Sequence, residues 1–206
     1  MQACRIAILD SGINPNHPHI GNVAGGVEIS ALGQSDDFLD CLGHGTAVAG
    51  AIHEKAPEAQ ILAVKIFDKR LTATIDQLVA GIEWALLHDA QVINLSLGTA
   101  NPKHREKLTP VIERAIQAGV RVVSALHLNG MPCFPGSLPG VLGVEADASV
   151  PREDVRIVGD RAIASPYPRP IPGLPPERNL SGISFAVANV SGYLCARIAL
   201  NVLAEV

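Results

Sequence analysis

The sequence predicts an α/β fold of the doubly wound kind, a three-layer sandwich around a mostly parallel central sheet, formed by a single domain over residues 1–206. Three observations carry this expectation. Short apolar runs with strand character alternate with helical patterns, and such alternation implies a parallel sheet covered by helices on both faces. The 206 residues are 48% apolar and 17% charged, which suits one fully buried core. Aromatic residues contribute only 3%, so that core must be built from Ala, Val, Ile and Leu.

The elements follow in order. RIAIL (5–9) is a short apolar run ending at Asp10 and a Ser-Gly turn, as a buried parallel strand does. GTAVAGAIHEK (45–55) is small and helical, and QILAVKIF (60–67) is strand-like. Residues 74–89 place Ile75, Leu78, Val79, Ile82 and Leu86 at helical spacing. AQVINLSL (90–97) reads as a strand, and 105–119 as a helix closed by Gly119. VRVVSAL (120–126) and GVLGVEA (140–146) are strands again. Six prolines between 164 and 178 predict an extended loop leading towards Ser184. Functional residues of open parallel sheets gather at the carboxyl ends of strands. Asp10, Ser96 and the segment after Ala125 occupy such positions.

Composition narrows the function classes. The formal net charge is −4, and the one basic stretch, KHREK (103–107), is interrupted by an acid, so no nucleic-acid partner is expected. No run of about eighteen apolar residues occurs, so no membrane span is expected. Cys4, Cys41, Cys133 and Cys195 are widely spaced with no CxxC pair, which favours free thiols in a reducing compartment. MQACRIAILDSG lacks an apolar leader core and a cleavage site. The resulting expectation is a cytoplasmic protein. No oxygen-ligand cluster with calcium-loop spacing is evident, and neither a metal nor another cofactor is expected.

Three motifs carry chemistry, in the order AILDSGI (7–13), GHGTAVAG (43–50) and GISFAVANVSG (182–192). Each alone is ordinary: an Asp-Ser-Gly turn, a histidine at a helix start, a serine among small residues. Together, in this order, they resemble the aspartate, histidine and serine motifs of the subtilisin-like serine proteases. VINLSLG (92–98) is similar to the family's substrate-binding strand, and PGVLGVEA (139–146) to the strand after its oxyanion region. The likeness runs from about residue 5 to 195. It implies a subtilisin-like fold and a serine endopeptidase that cleaves through an acyl-enzyme. Ser184 would be the nucleophile, His44 its general base, and Asp10 the group that orients His44 and stabilises its charged form. Gly43 and Gly45 would allow close backbone approach around His44, and Gly182 the same before Ser184. The Ser184 N–H, at a helix start, would face a developing oxyanion.

The chain departs from the family pattern in several places. Ile183 replaces the usual threonine and Ala188 the usual proline, and neither change removes a reacting group. The oxyanion side chain is normally an asparagine in a Gly-Asn-x-Gly stretch. In SALHLNGMPCFPG (124–136), ungapped alignment puts Leu128 at that place and Asn129 one residue late. A one-residue bulge would bring Asn129 in; His127 is the second candidate donor, and a plain Asn-Gly turn is the competing reading. Many relatives also insert a calcium-binding loop after the histidine helix, whereas here the chain runs straight on to the next strand.

The resemblance makes Ser96, Leu97 and Gly98 one wall of the cleft, pairing with an extended peptide, and residues 124–128, with Ala125 and Leu126, the wall opposite. Matching CFPG (133–136) onto the family's Gly-Tyr-Pro-Gly puts Cys133 at the pocket floor, which implies a small or medium apolar residue before the cut. The expected partner is a peptide or protein, such as the leader of a dedicated precursor peptide. The rival reading is a catalytically weak or inactive homologue that binds peptides in the same cleft.

Overall fold

The computed structural model describes residues 3–201. Its frame is a nine-stranded sheet. The chain enters through β1 (Arg5–Asp10) and forms β2 (Val23–Ser30) and β3 (Gly33–Ser35) before helix α1 (His44–Lys55). It continues through β4 (Gln60–Lys65), α2 (Ile75–Leu87), β5 (Val92–Leu95), α3 (Lys103–Gln117) and β6 (Arg121–Ala125). A small hairpin, β7 (His127–Leu128) with β8 (Met131–Pro132), precedes β9 (Leu142–Ala146). The strands β10 (Val155–Val158) and β11 (Arg161–Ala164) follow, and a long helix, α4 (Ile183–Ala199), ends the described chain.

The strand order is β10-β11-β9-β6-β5-β1-β4-β2-β3. The pairings between β2 and β11 along this order are parallel, and only the two edge hairpins are antiparallel. The doubly wound α/β architecture is therefore present. One apolar core lies under α1 and α4, where Val48, Ile52, Val187 and Val190 pack on Ile6, Ile8 and Ile61. The other lies under α2 and α3, with Leu78, Ile82, Leu108 and Ile112 against Leu9, Leu62 and Ile93. As composition requires, these cores are aliphatic: Phe67 and Phe185 are the only buried aromatic side chains among the described residues.

The helix starts have local causes. Thr74 caps α2 with a full capping box: its hydroxyl accepts from Gln77 N–H while the Gln77 side chain accepts from Thr74 N–H. The N-cap of α1 is Gly43, which has no side chain to cap with and enters at φ 81°, in the left-handed region; Ser11 and Asp40 instead accept from the first-turn N–H groups of Gly45 and Thr46. The central sheet register then places the ends of β1, β5 and β6 side by side on one edge. Asp10, Ser96 and Ala125 share that edge, as expected of a strand-end site.

Candidate active site

Asp10 is the last residue of β1 and His44 the first of α1. Their side chains meet at 2.7 Å, His44 Nδ1 to Asp10 Oδ1, with Asp10 buried and the His44 side chain 20% exposed. The Asp10 Oδ1 also accepts from the Ser11 N–H at 2.8 Å, while the buried Oδ2 has no hydrogen-bond partner. A proton on Nδ1 serves this contact and leaves Nε2 as the basic nitrogen. Burial opposes charge on His44, but the hydrogen bond and charge of Asp10, with Asp40 further off, raise its pKa above the usual 6.5.

One close approach makes the pair possible. A Cβ on Gly45 would lie 2.2 Å from the Gly12 carbonyl oxygen and 3.2 Å from the Asp10 Cβ. Only glycine lets α1 begin directly over the end of β1. Gly182 differs from expectation: a Cβ there would meet nothing within 4 Å, so the close approach before Ser184 does not occur. The same holds at Gly43, whose glycine serves its left-handed φ instead.

Sequence reasoning missed a second carboxylate. Asp40 is half-buried and takes up five donors: the Ser11 hydroxyl, the N–H groups of Leu42, Gly43 and Thr46, and the Thr46 hydroxyl. Burial works against its charge, yet the bonds from Thr46, Gly43 and Leu42 prevail and hold its pKa below the usual carboxylate range. Ser11 in turn accepts from the Gly45 N–H at 2.9 Å. Asp40 thus ties the β1 turn to the histidine loop. Its only sequence signal is an aspartate four residues before His44.

The serine half is built from α4 and β5. Ser184 is the second residue of α4, and its backbone N–H, which has no intrahelical partner in the first turn, has none elsewhere among the described residues. Its hydroxyl donates to the Ser96 carbonyl at 3.2 Å, while the Ser96 hydroxyl donates to the Ser184 carbonyl at 3.3 Å. A buried chain continues inward: Asn94 Nδ2 donates to Ser96 Oγ, and Ser191 Oγ donates to Asn94 Oδ1. Asn94 and Ser191 brace α4 against β5 and were also unanticipated. The ring of Phe185, the next residue, lies 6.0 Å from that of His44. The aspartate, histidine and serine motifs therefore converge on one strand-end edge. The proline-rich stretch is a loop as expected except at its end, where Pro176–Arg178 form a short 3-10 turn, and it is pinned to α4 where Asn189 Nδ2 donates to the carbonyls of Ser165 and Tyr167.

The two expected cleft walls are neighbours, and they are tied together. The Ser124 hydroxyl donates to the Leu97 carbonyl at 3.2 Å, and Thr99 and Phe134 exchange backbone hydrogen bonds of 2.9 and 2.8 Å. Ala125 and Leu126 are buried, and the Cys133 N–H donates to the Leu126 carbonyl. The Cys133 thiol is 1% exposed and faces Gly98, where a Cβ would come within 2.3 Å of its sulfur. Burial pushes this thiol's pKa up. Gly98 itself keeps its N–H and carbonyl unpaired among the described residues.

The 127–132 segment takes a form different from the bulge that would carry Asn129 inward. His127 pairs with Pro132 and Leu128 with Met131 in regular register, so Asn129 and Gly130 form a two-residue turn. Their φ values are 51° and 77°, both left-handed, the signature of the Asn-Gly turn that suits a twisted hairpin. His127 is exposed on β7, with Nδ1 3.3 Å from Glu145 Oε1.

Comparison with known proteins identifies the family. The sequence profile of the subtilase family matches residues 2–128. The chain is 36% identical over 154 residues to the minor extracellular protease Epr of Bacillus subtilis, a match covering 69% of this chain and 23% of that protein. It is 31% identical over 157 residues to subtilisin E of the same organism, covering 69% of the chain and 40% of the relative. With the thermostable alkaline protease of Halalkalibacterium halodurans the identity is 32% over 211 residues, covering 91% and 55%. The matches thus span between about a quarter and just over half the length of these relatives.

Proposed function

The chain belongs to the subtilase family, and from that premise we propose that it is a serine endopeptidase working through Asp10, His44 and Ser184. The observation that carries this reading is the buried Asp10 carboxylate held 2.7 Å from His44 Nδ1 on the edge where Ser184 begins its helix. In this mechanism His44 Nε2 takes the Ser184 proton as the hydroxyl attacks the scissile carbonyl, then gives it to the leaving amine. Asp10 stabilises the imidazolium between these steps. The unpaired Ser184 N–H meets the oxyanion; of the two expected side-chain donors, Asn129 is taken up by its turn and His127 stands beside Glu145. Gly98, with both backbone groups unpaired, would hold the acyl side of an extended peptide.

The Cys133 thiol packed on Gly98 supports a preference for a small or medium apolar residue before the cut. A shallow pocket suits a narrow-specificity processing enzyme with one dedicated precursor peptide. Four free cysteines, three of them buried, support a reducing, cytoplasmic setting. Broad hydrolysis of casein at the rate of a digestive enzyme would overturn the narrow reading.

One observation favours a second reading, a peptide-binding homologue with little turnover: the Ser184 hydroxyl donates to the Ser96 carbonyl rather than to His44. A fluorophosphonate probe separates the two. The endopeptidase labels at Ser184, and Ser184→Ala abolishes labelling and lowers peptide turnover by about 10⁶, the loss typical of such triads. A folded wild-type protein that takes no label is the binder.

A further inference from the structure

A cavity of about 310 Å³ opens next to Gly43, the residue before His44, between the 14–19 turn, the start of α1 and the proline-rich loop, and none of residues 96–98 lines it. Gly43, Thr46 and Ala47 form its helix side, and Arg169 and Leu180 its loop side. If the chain is an endopeptidase, the leaving amine departs towards His44 and the acyl half lies along Gly98. The cavity is then on the leaving-group side of the substrate.

Its polar groups are unequally satisfied. The acceptors are taken: Asp40 by its five donors, Asn14 Oδ1 by the Asn16 N–H, and Asn179 Oδ1 by the Leu180 N–H. The donors are open. Half-buried Arg169 has no hydrogen-bond or ion-pair partner for its guanidinium among the described residues, and Asn14 Nδ2 has none either. His17 Nδ1 accepts from the His19 N–H at 3.2 Å, so neutral His17 carries its proton on Nε2 as a further donor. Burial, with Arg169 and His17 close by, outweighs the opposing charge of Glu54 and lowers the pKa of His19, so that ring adds no second cation near neutral pH. The lining thus holds one cation with vacant donors and one carboxylate, Asp40, already saturated by its own five donors, and the vacant donors are matched by an anion with several lone pairs.

We propose that this cavity receives a carboxylate on the leaving-group side of the peptide, with Arg169 as its cationic anchor and Asn14 and His17 as flanking donors. The carboxylate comes from an acidic side chain or from the substrate's own C-terminus. The inference rests on the endopeptidase reading for its orientation, but binding itself needs no chemistry.

The test uses two measurements on the full chain. Fluorogenic peptides with a fixed acyl half carry Glu or Gln at each of the first few positions after the cut, each with a free or amidated C-terminus. Wild type is expected to favour one Glu position, or the free C-terminus, at least tenfold in kcat/KM, and Arg169→Glu to reverse that preference. Fluorophosphonate labelling checks that the variant is folded. In parallel, the same peptides are titrated by fluorescence anisotropy against Ser184→Ala. A Glu or free-acid preference in binding without any turnover in wild type removes the endopeptidase reading and keeps the carboxylate site. Equal kcat/KM and equal binding for all peptides, or a preference that Arg169→Glu leaves intact, overturns the site.

Discussion

The two halves of the site are constructed differently. On the β1–α1 side, each polar group has one defined job: Asp10 holds His44, Asp40 holds the loop, and Gly45 admits the helix over the strand. The side formed by the end of β6 and the segment up to Phe134 is improvised. There a thiol fills the pocket floor, a backbone bridge joins Thr99 to Phe134, and an Asn-Gly turn stands where the family places a loop amide. On the proposed reading the first half handles the proton, so its distances are set by chemistry, whereas the second receives substrate, so its shape is set by the substrate.

Substitutions that probe this contrast should have unequal effects, and the largest falls on the first half. Asp10→Asn keeps the shape of the pair but favours the wrong histidine tautomer, so kcat is expected to drop about 10⁴-fold. The pH profile gives an independent readout. His44 must be neutral to act as a base, and Asp10 raises its pKa above 6.5, so wild-type activity falls as pH drops through that raised value. In Asp10→Asn the acid limb is expected at lower pH. An acid limb that stays in place would mean that Asp10 does not set the His44 charge.

An intermediate effect belongs to the pocket floor. Cys133→Gly removes the sulfur that stands against Gly98. Apolar pockets discriminate by roughly 1–3 kcal/mol per methylene, so the kcat/KM ratio of a Phe over an Ala peptide, varied before the cut, should rise about tenfold or more. An unchanged ratio would place the pocket elsewhere.

This contrast also governs what could be read from the sequence. The strands and helices around Asp10, His44 and Ser184 were legible because apolar periodicity and the three motifs agree there. β2, with its Gly25-Gly26 pair, the edge strand β10, with alternate exposed residues, and the four-residue β11 beside it carry weak apolar signals and were not anticipated. Asp40 and Asn94 were invisible for another reason. Their importance lies in partners that only the fold brings near: five donors around one carboxylate, and a chain from Ser191 to Ser96 across two elements. The pocket floor was partly legible, since the CFPG match pointed to Cys133, but not the bridge from Thr99 to Phe134 that closes it.

The smallest effects are expected where the sequence was most ambiguous. An oxyanion donor contributes about 10²–10³ to turnover, whereas a turn residue contributes mainly to hairpin stability. At Asn129 the left-handed φ of 51°, followed by Gly130 at 77°, is explained by the turn alone. Glycine satisfies the same φ, so Asn129→Gly should change kcat by less than about tenfold while leaving the hairpin intact. His127, beside the Glu145 carboxylate, is likewise accounted for by its neighbour, and His127→Ala should also lower kcat by less than about tenfold. If either variant alone loses 10²–10³ in kcat with KM nearly unchanged, that residue is the donor to the transition state. The improvised wall would then share in the chemistry, and the division between the two halves would hold only for their architecture.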